Sequence, residues 1–280
     1  MNTARHQKIG IKQLIRLEWM DTALDMLLAG MPADSIRAEL KAYLADKKPD
    51  GGIGPRGANA YIMTVSILMQ IWIEPENILV AMRDSALQHV RSLSPHKRLP
   101  YHWAMMSAAY PFWFHVAMHT GRLLNLQDQA TQKQIFTRLK EQYGDRQTVS
   151  RYGQFVIRSF IVWGILRDTE IPGCYVKVNP IKLSDKYLAS LLLESALHAI
   201  PEGKSTLNTL LTMPAMFPFE LPIVTGEQIS YLNHRLEISH TAGFNDYTLK
   251  LPARPELHGV FSTAVPSSDS CPRADIYSIP

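Results

Sequence analysis

The chain has 280 residues, 46% of them hydrophobic and 19% charged, which supplies enough apolar material for a sizeable core and excludes global disorder. Its 15 glycines and 18 prolines exclude a collagen-like or low-complexity chain. Two cysteines, Cys174 and Cys271, are too few for a disulfide framework or a structural zinc site, and their scarcity fits a reducing cytoplasm. The net charge is only +4, but it is uneven: residues 122–167 carry 8 basic against 3 acidic side chains, and residues 168–280 carry 8 basic against 12 acidic. A basic segment inside a near-neutral chain is either a solvated helical face or a module that faces a polyanion.

The first 21 residues hold no long apolar run, so no signal peptide is expected. Residues 9–31 read as a helix, with Leu14, Leu17, Trp19, Leu24, Leu27 and Leu28 at helical spacing. Met31-Pro32-Ala33 breaks it, and Asp34 is placed to cap a second helix over 35–44. Asp21 and Asp25 share a face of the first helix, which reads as solvated. Residues 46–57, DKKPDGGIGPRG, form a loop without the Gly-Lys-Ser/Thr ending of a phosphate-binding loop. Helices are predicted over 61–73 and 76–93, and a long apolar one over 101–124, bent near Pro111. That last segment contains His102, His115 and several small residues and reads as buried helix, so no membrane contact is expected.

Farther along, Thr131 starts a helix that Gly144 closes. A short turn follows, and Thr148 is predicted to cap a second helix ending at Gly164. Val149, Tyr152, Phe155 or Val156, Ser159 or Phe160, and Trp163 mark its buried side, while Ser150, Arg151, Gln154 and Arg158 lie opposite. Two β-type runs, 165–167 and 174–178, flank DTEIPG and read as a hairpin. Residues 185–200 and 205–213 are helical by pattern, MFPFELPIV is extended, and short strands are expected around 229–232, 236–238 and 247–251. Residues 252–280, rich in proline and serine, are expected to be a disordered tail.

The run GDRQTVSRYGQFVIRSFIVWGIL and the hairpin ILRDTEIPGCYVKV, counted with a preceding helix around 112–126, resemble a winged helix-turn-helix domain over about a quarter of the chain. The fold class that follows is mainly α: a helical region over 1–111, a winged helix over 112–184, and an α+β region over 185–251 before the tail. The resemblance implies that the helix from Thr148 to Trp163 enters a major groove, with its N-terminal half near base edges. Ser150, Arg151 and Gln154 are then the base readers, because arginine matches guanine and glutamine matches adenine edges. Lys140, Arg146, Arg158 and the wing residue Lys177 would meet phosphates, and Thr148 and the helix N-terminus would favour one too. Gly153 inside this helix, and Asp168 and Glu170 in the wing, depart from what such a surface favours.

No acid, base, nucleophile and metal set converges, so a non-enzymatic chain without cofactor is expected. His115 and His119 lie four apart, but no carboxylate lies between His102 and Asp128 and no HExxH pattern exists, so no metal is expected. The expected partner is double-stranded DNA, in transcriptional control or as a DNA-recruiting part of a bacterial phage-defence or DNA-processing complex. The acidic C-terminal part would then make a homodimer or contact partner proteins. The alternative is an interaction scaffold whose winged helix meets a protein, with the aromatics of residues 216–222, MFPFELP, as the docking point.

Overall fold

A computed structural model describes residues 3–55, 57–240 and 246–252. The order begins with α1 (Thr3–Gln7), α2 (Leu17–Leu28), α3 (Ala33–Leu44), α4 (Ala58–Leu68), α5 (Val80–Val90), α6 (Leu99–Ala109) and α7 (Pro111–Leu126). The middle holds β1 (Ala130–Thr131), α8 (Gln132–Tyr143), α9 (Gln147–Val162), β2 (Leu166–Asp168) and β3 (Cys174–Lys177). The last part comprises β4 (Ile181–Lys182), α10 (Lys186–Ala199), β5 (Lys204–Thr206), α11 (Leu207–Leu211), β6 (Phe219–Glu220), α12 (Gly226–Leu232), β7 (Glu237–His240) and β8 (Tyr247–Lys250). The protein is mainly α, with small sheets ordered β1-β3-β2, β4-β6 and β5-β8-β7.

Helices α6 and α10 are buried all round and pack on each other at the centre. One continuous core runs from Ile11 to Leu249 and crosses both expected boundaries, 111/112 and 184/185. Its middle is aromatic. Trp103 on α6 lies 5.1 Å from Phe160 on α9, and Trp113 on α7 lies 4.8 Å from Phe160 and 5.0 Å from Trp163. Phe217 and Phe219 close the cluster against Trp103 at 6.1 and 5.8 Å. The docking point expected at residues 216–222 is thereby corrected: Met216 and Phe219 are buried, and Phe217 packs inward.

Several local expectations are also corrected. Residues 8–16 form an extended strap, not the first half of a helix. Ile15 donates its N–H to Ser159 Oγ at 3.0 Å and accepts from Trp163 Nε1 at 2.9 Å, and a Cβ on Gly10 would strike the Tyr110 ring at 2.6 Å. These distant partners take the backbone groups that a helix would have used. Asp34 lies inside the first turn of α3, which begins after Pro32. The long helix over 101–124 is two helices, broken at Tyr110 ahead of Pro111. Residues 229–232 belong to α12, not a strand, because Thr225 and Gln228 form a capping box. Asp21 departs from the expected solvated face, being half-buried with His102 Nε2 at 3.0 Å, while Asp25 is exposed there and accepts from Arg98 at 2.6 Å.

Among the described residues no single helix is long and apolar enough to cross a membrane, and only 58–73 and 77–90 taken together, across a 47° bend, reach that measure. Cys174 is a half-buried free thiol. Cys271, and the tail expected beyond residue 252, lie outside the described residues.

Candidate nucleic-acid interface

The basic segment folds as helix, strand, helix, turn, helix and hairpin. Thr131 caps α8: its hydroxyl accepts from the Gln134 N–H, and its own N–H donates to Gln134 Oε1 at 3.0 Å. Gly144, at φ 86°, ends α8, and Arg146 stands just before α9 in extended conformation. Thr148 therefore sits inside the first turn of α9 and does not cap it. Gly164, at φ 72°, turns the chain into β2. β3 is the middle strand of a three-stranded antiparallel sheet, with Ala130 opposite Tyr175 on one side and Arg167 opposite Val176 on the other.

Helix α9 is sharply two-sided. Val149, Gly153, Val156, Ile157, Ser159 and Phe160 are buried against α7, α8 and the aromatic cluster. Gly153 has a packing reason: a Cβ there would come 2.9 Å from the Phe136 ring and 3.2 Å from Leu139, both on α8. Gln147, Thr148, Arg151 and Gln154 are exposed, and Ser150 and Arg158 are half-buried. The strap covers the C-terminal end of α9 through Ser159 and Trp163, so the open stretch is the N-terminal half.

The structure divides the expected phosphate partners into two groups. Arg158 is held by Asp168 of β2, with Nη1 donating to the two carboxylate oxygens at 3.0 and 2.8 Å. Asp168 lies opposite Tyr175 on the sheet face turned toward the helices, which is where Arg158 meets it. Lys140 is paired with Asp145 at 2.7 Å. Both cations are thus neutralised internally. Arg146 donates to the Tyr143 carbonyl at 2.8 Å and has no carboxylate partner among the described residues; Arg151 and Lys177 have none either. Arg151 extends over the Phe155 ring, 6.0 Å from its centroid.

Sequence reasoning missed Arg167. It is exposed on the outer face of β2, across from Val176, with no carboxylate partner among the described residues. The strand alternation of the hairpin carried that signal. His115 Nδ1 meets the Tyr143 hydroxyl at 2.5 Å and the Gln142 amide at 3.1 Å, His119 Nε2 lies 3.4 Å from Gln142 Oε1, and no group of three or more metal-binding side chains occurs among the described residues.

Comparisons of the chain with known protein families, with curated proteins and with solved structures returned no match.

Proposed function

We propose that the segment from α7 to β3 is a winged helix-turn-helix that binds duplex DNA, and that the protein acts as a DNA-binding regulator or as the DNA-recruiting part of a larger complex. The observation that carries this reading is the solvent-facing N-terminal half of α9. It presents Ser150, Arg151 and Gln154 together on a helix whose other side is locked into the core. A helix is the element that fits a major groove, and these side chains match base edges there. Arg146, beside the start of α9, would supply a phosphate contact at the margin of that surface, and Lys177, opposite Leu166 just beyond the C-terminal end of α9, would supply one from the hairpin. Asp168 and Asp145 remove Arg158 and Lys140 from the resting set of free cations, so binding rests on fewer charges than the sequence count suggests.

The test is a fluorescence-anisotropy titration of random duplex DNA at several salt concentrations, with Arg151→Ala/Gln154→Ala alongside. The expected result is salt-sensitive binding, with a log–log slope of about −0.9 per phosphate neutralised, that the double variant weakens. No binding at low salt, or equal binding by the variant, overturns the reading.

One observation favours a second reading, a winged helix that meets a protein. The hairpin tip is Glu170-Ile171-Pro172, and Ile171 is 60% exposed, which suits a protein surface better than a phosphate backbone. Binding to a partner through this tip would respond weakly to salt and would be lost in Ile171→Ser.

A further inference from the structure

A cleft of about 330 Å³ opens on the far side of the strap, between α4 and the α6–α7 break. One rim is the strap, bearing Lys8 and Lys12. The other is α4, bearing Ile62 and Met63. The back wall is Tyr110, against which Gly10 lies too closely for any side chain. The size falls within the range of small-molecule sites.

The chemistry of the lining is one-sided. Arg5 is saturated: it donates to Glu76 at 2.8 Å, to the His198 carbonyl at 2.6 Å and to the Ala108 carbonyl. That pairing offsets the Glu76 charge. The Tyr110 hydroxyl donates to Gln70 Oε1 at 2.7 Å, which occupies the amide oxygen and leaves the amide N–H groups of Gln70 as donors. Ser66 turns its hydroxyl back to the Ile62 carbonyl. What remains to meet a ligand is the ammonium groups of Lys8 and Lys12, the Gln70 amide and the second oxygen of Glu76, so donors and positive charge are in excess. Lys8 and Lys12 are exposed and have no carboxylate partner among the described residues. A donor-rich set with an excess of positive charge, two lysines beside the Arg5–Glu76 pair, selects a ligand that brings acceptors and negative charge. Ile62 and Met63 are 41% and 40% exposed, two large apolar side chains side by side on the same cleft. They favour a ligand with an apolar body beside its charge.

We propose that this cleft binds a small anionic amphiphile, its carboxylate or phosphate met by Lys8, Lys12 and Gln70 and its apolar body lying along Ile62 and Met63. The assignment stands independently of the DNA reading, because none of these residues belongs to α9 or the hairpin.

The experiment is isothermal titration of the full chain with octyl phosphate and with octanoate, both kept below micelle formation, against octyl glucoside and octyltrimethylammonium of equal chain length. Saturable one-to-one binding of the two anions is expected, with at least tenfold weaker binding of the neutral and cationic compounds. Lys8→Gln/Lys12→Gln is expected to weaken anion binding at least tenfold. Lys8→Arg/Lys12→Arg should retain it, which separates charge from any change in folding. Met63→Ser should weaken octyl phosphate more than inorganic phosphate. Sedimentation with phosphatidylglycerol vesicles then identifies the source: capture by vesicles assigns the cleft to a lipid headgroup, and binding of the soluble anions alone assigns it to a free acid. Equal binding of octyl glucoside, or anion binding undiminished in the lysine-to-glutamine variant, overturns the proposal.

Discussion

The indole N–H of Trp72 donates to Nδ1 of His102 at 3.0 Å. Indole can only donate, so Nδ1 must accept, and the ring proton must sit on Nε2, where Asp21 accepts it at 3.0 Å. Burial pushes the His102 pKa down, against the pull of Asp21. The imidazole is therefore a neutral, fully buried strut between α2, α6 and the π-helical turn at 69–73 that extends α4. Nitrogen-15 shifts at pH 7 should show the neutral Nε2–H form. Trp72→Phe leaves Nδ1 without a donor and should cost about 1–3 kcal/mol in urea unfolding, beyond any packing loss.

Acid should destabilise the protein well before its carboxylates protonate. Burial, with neighbouring His119 and His6, lowers His115 to about 4. Burial, with Arg5, Arg235 and His6, lowers His198 to about 3. Glu194 stands near His198, but Arg235 and Asn233 already claim its oxygens. In the unfolded chain both histidines titrate at about 6.5. Below that pH the unfolded state takes up protons that the folded state refuses, so stability falls as pH falls. The slope approaches about 1.4 kcal/mol per pH unit for each histidine. Urea midpoints should be level above pH 7 and drop between pH 6.5 and 5. A level profile down to pH 5 would contradict this account of both sites.

Two glycines should respond differently to alanine. At Gly121 on α7 a Cβ would meet the Pro214 carbonyl oxygen at 1.9 Å, and that is backbone of the segment crossing the helix. Gly121→Ala should destabilise by about 3 kcal/mol or more. At Gly153 the nearest atoms belong to the Phe136 and Leu139 side chains, which can shift. Alanine also gains about 1 kcal/mol of helix propensity there, so Gly153→Ala should lie within about 1 kcal/mol of the parent. Thermal or urea unfolding of the pair distinguishes them.

Glu194 is 1% exposed on the central helix α10, and its carboxylate is held by Arg235 at 2.7 and 2.9 Å and by Asn233 at 2.9 Å. This network ties the C-terminal segment to the core. Arg235→Ala strands a buried charge and should cost about 3–5 kcal/mol. Arg235→Ala combined with Glu194→Gln should recover part of that loss. An Arg235→Ala protein as stable as the parent would show that the pair contributes nothing.

On the proposed DNA surface, Asp168 acts against affinity. Asp168→Asn should release Arg158, tighten binding at low salt, and steepen the log–log salt slope by about 0.9. Adding Arg158→Ala should return the slope to that of the parent. An unchanged slope in Asp168→Asn would mean that Arg158 does not reach a phosphate.

The elements of the proposed interface were legible because their signals are local. Thr131 with Gln134, then Gly144, then Gly164 punctuate two helices within 34 residues, and the apolar period of α9 shows its buried side. Thr225 with Gln228 offered an equally local signal for α12, but the alternation of Ile229, Tyr231 and Leu232 looked strand-like, and Tyr231 is in truth 80% exposed. The charge pairs were harder to see. Asp21 looks solvated until the chain returns 81 residues later with His102, and the partner of the exposed Asp25, Arg98, comes 73 residues later. Arg158 and Asp168 are ten apart, but the pair forms only because β2 folds back along α9.

The strap limits any attempt to produce α9 and its neighbours in isolation. A fragment of residues 111–184 would retain the local signals of α7, α8, α9 and the hairpin. It would still lack Ile15, and with it the donor to Ser159 and the acceptor for the Trp163 indole. The same cuts would expose Trp113, Phe160 and Trp163 where Trp103 now covers them, and Phe160 also where Phe217 packs on it. Such a fragment should be sticky and poorly soluble. The shortest piece that presents α9 in its native form therefore starts ahead of Gly10 and runs past Phe217, nearly the whole described chain.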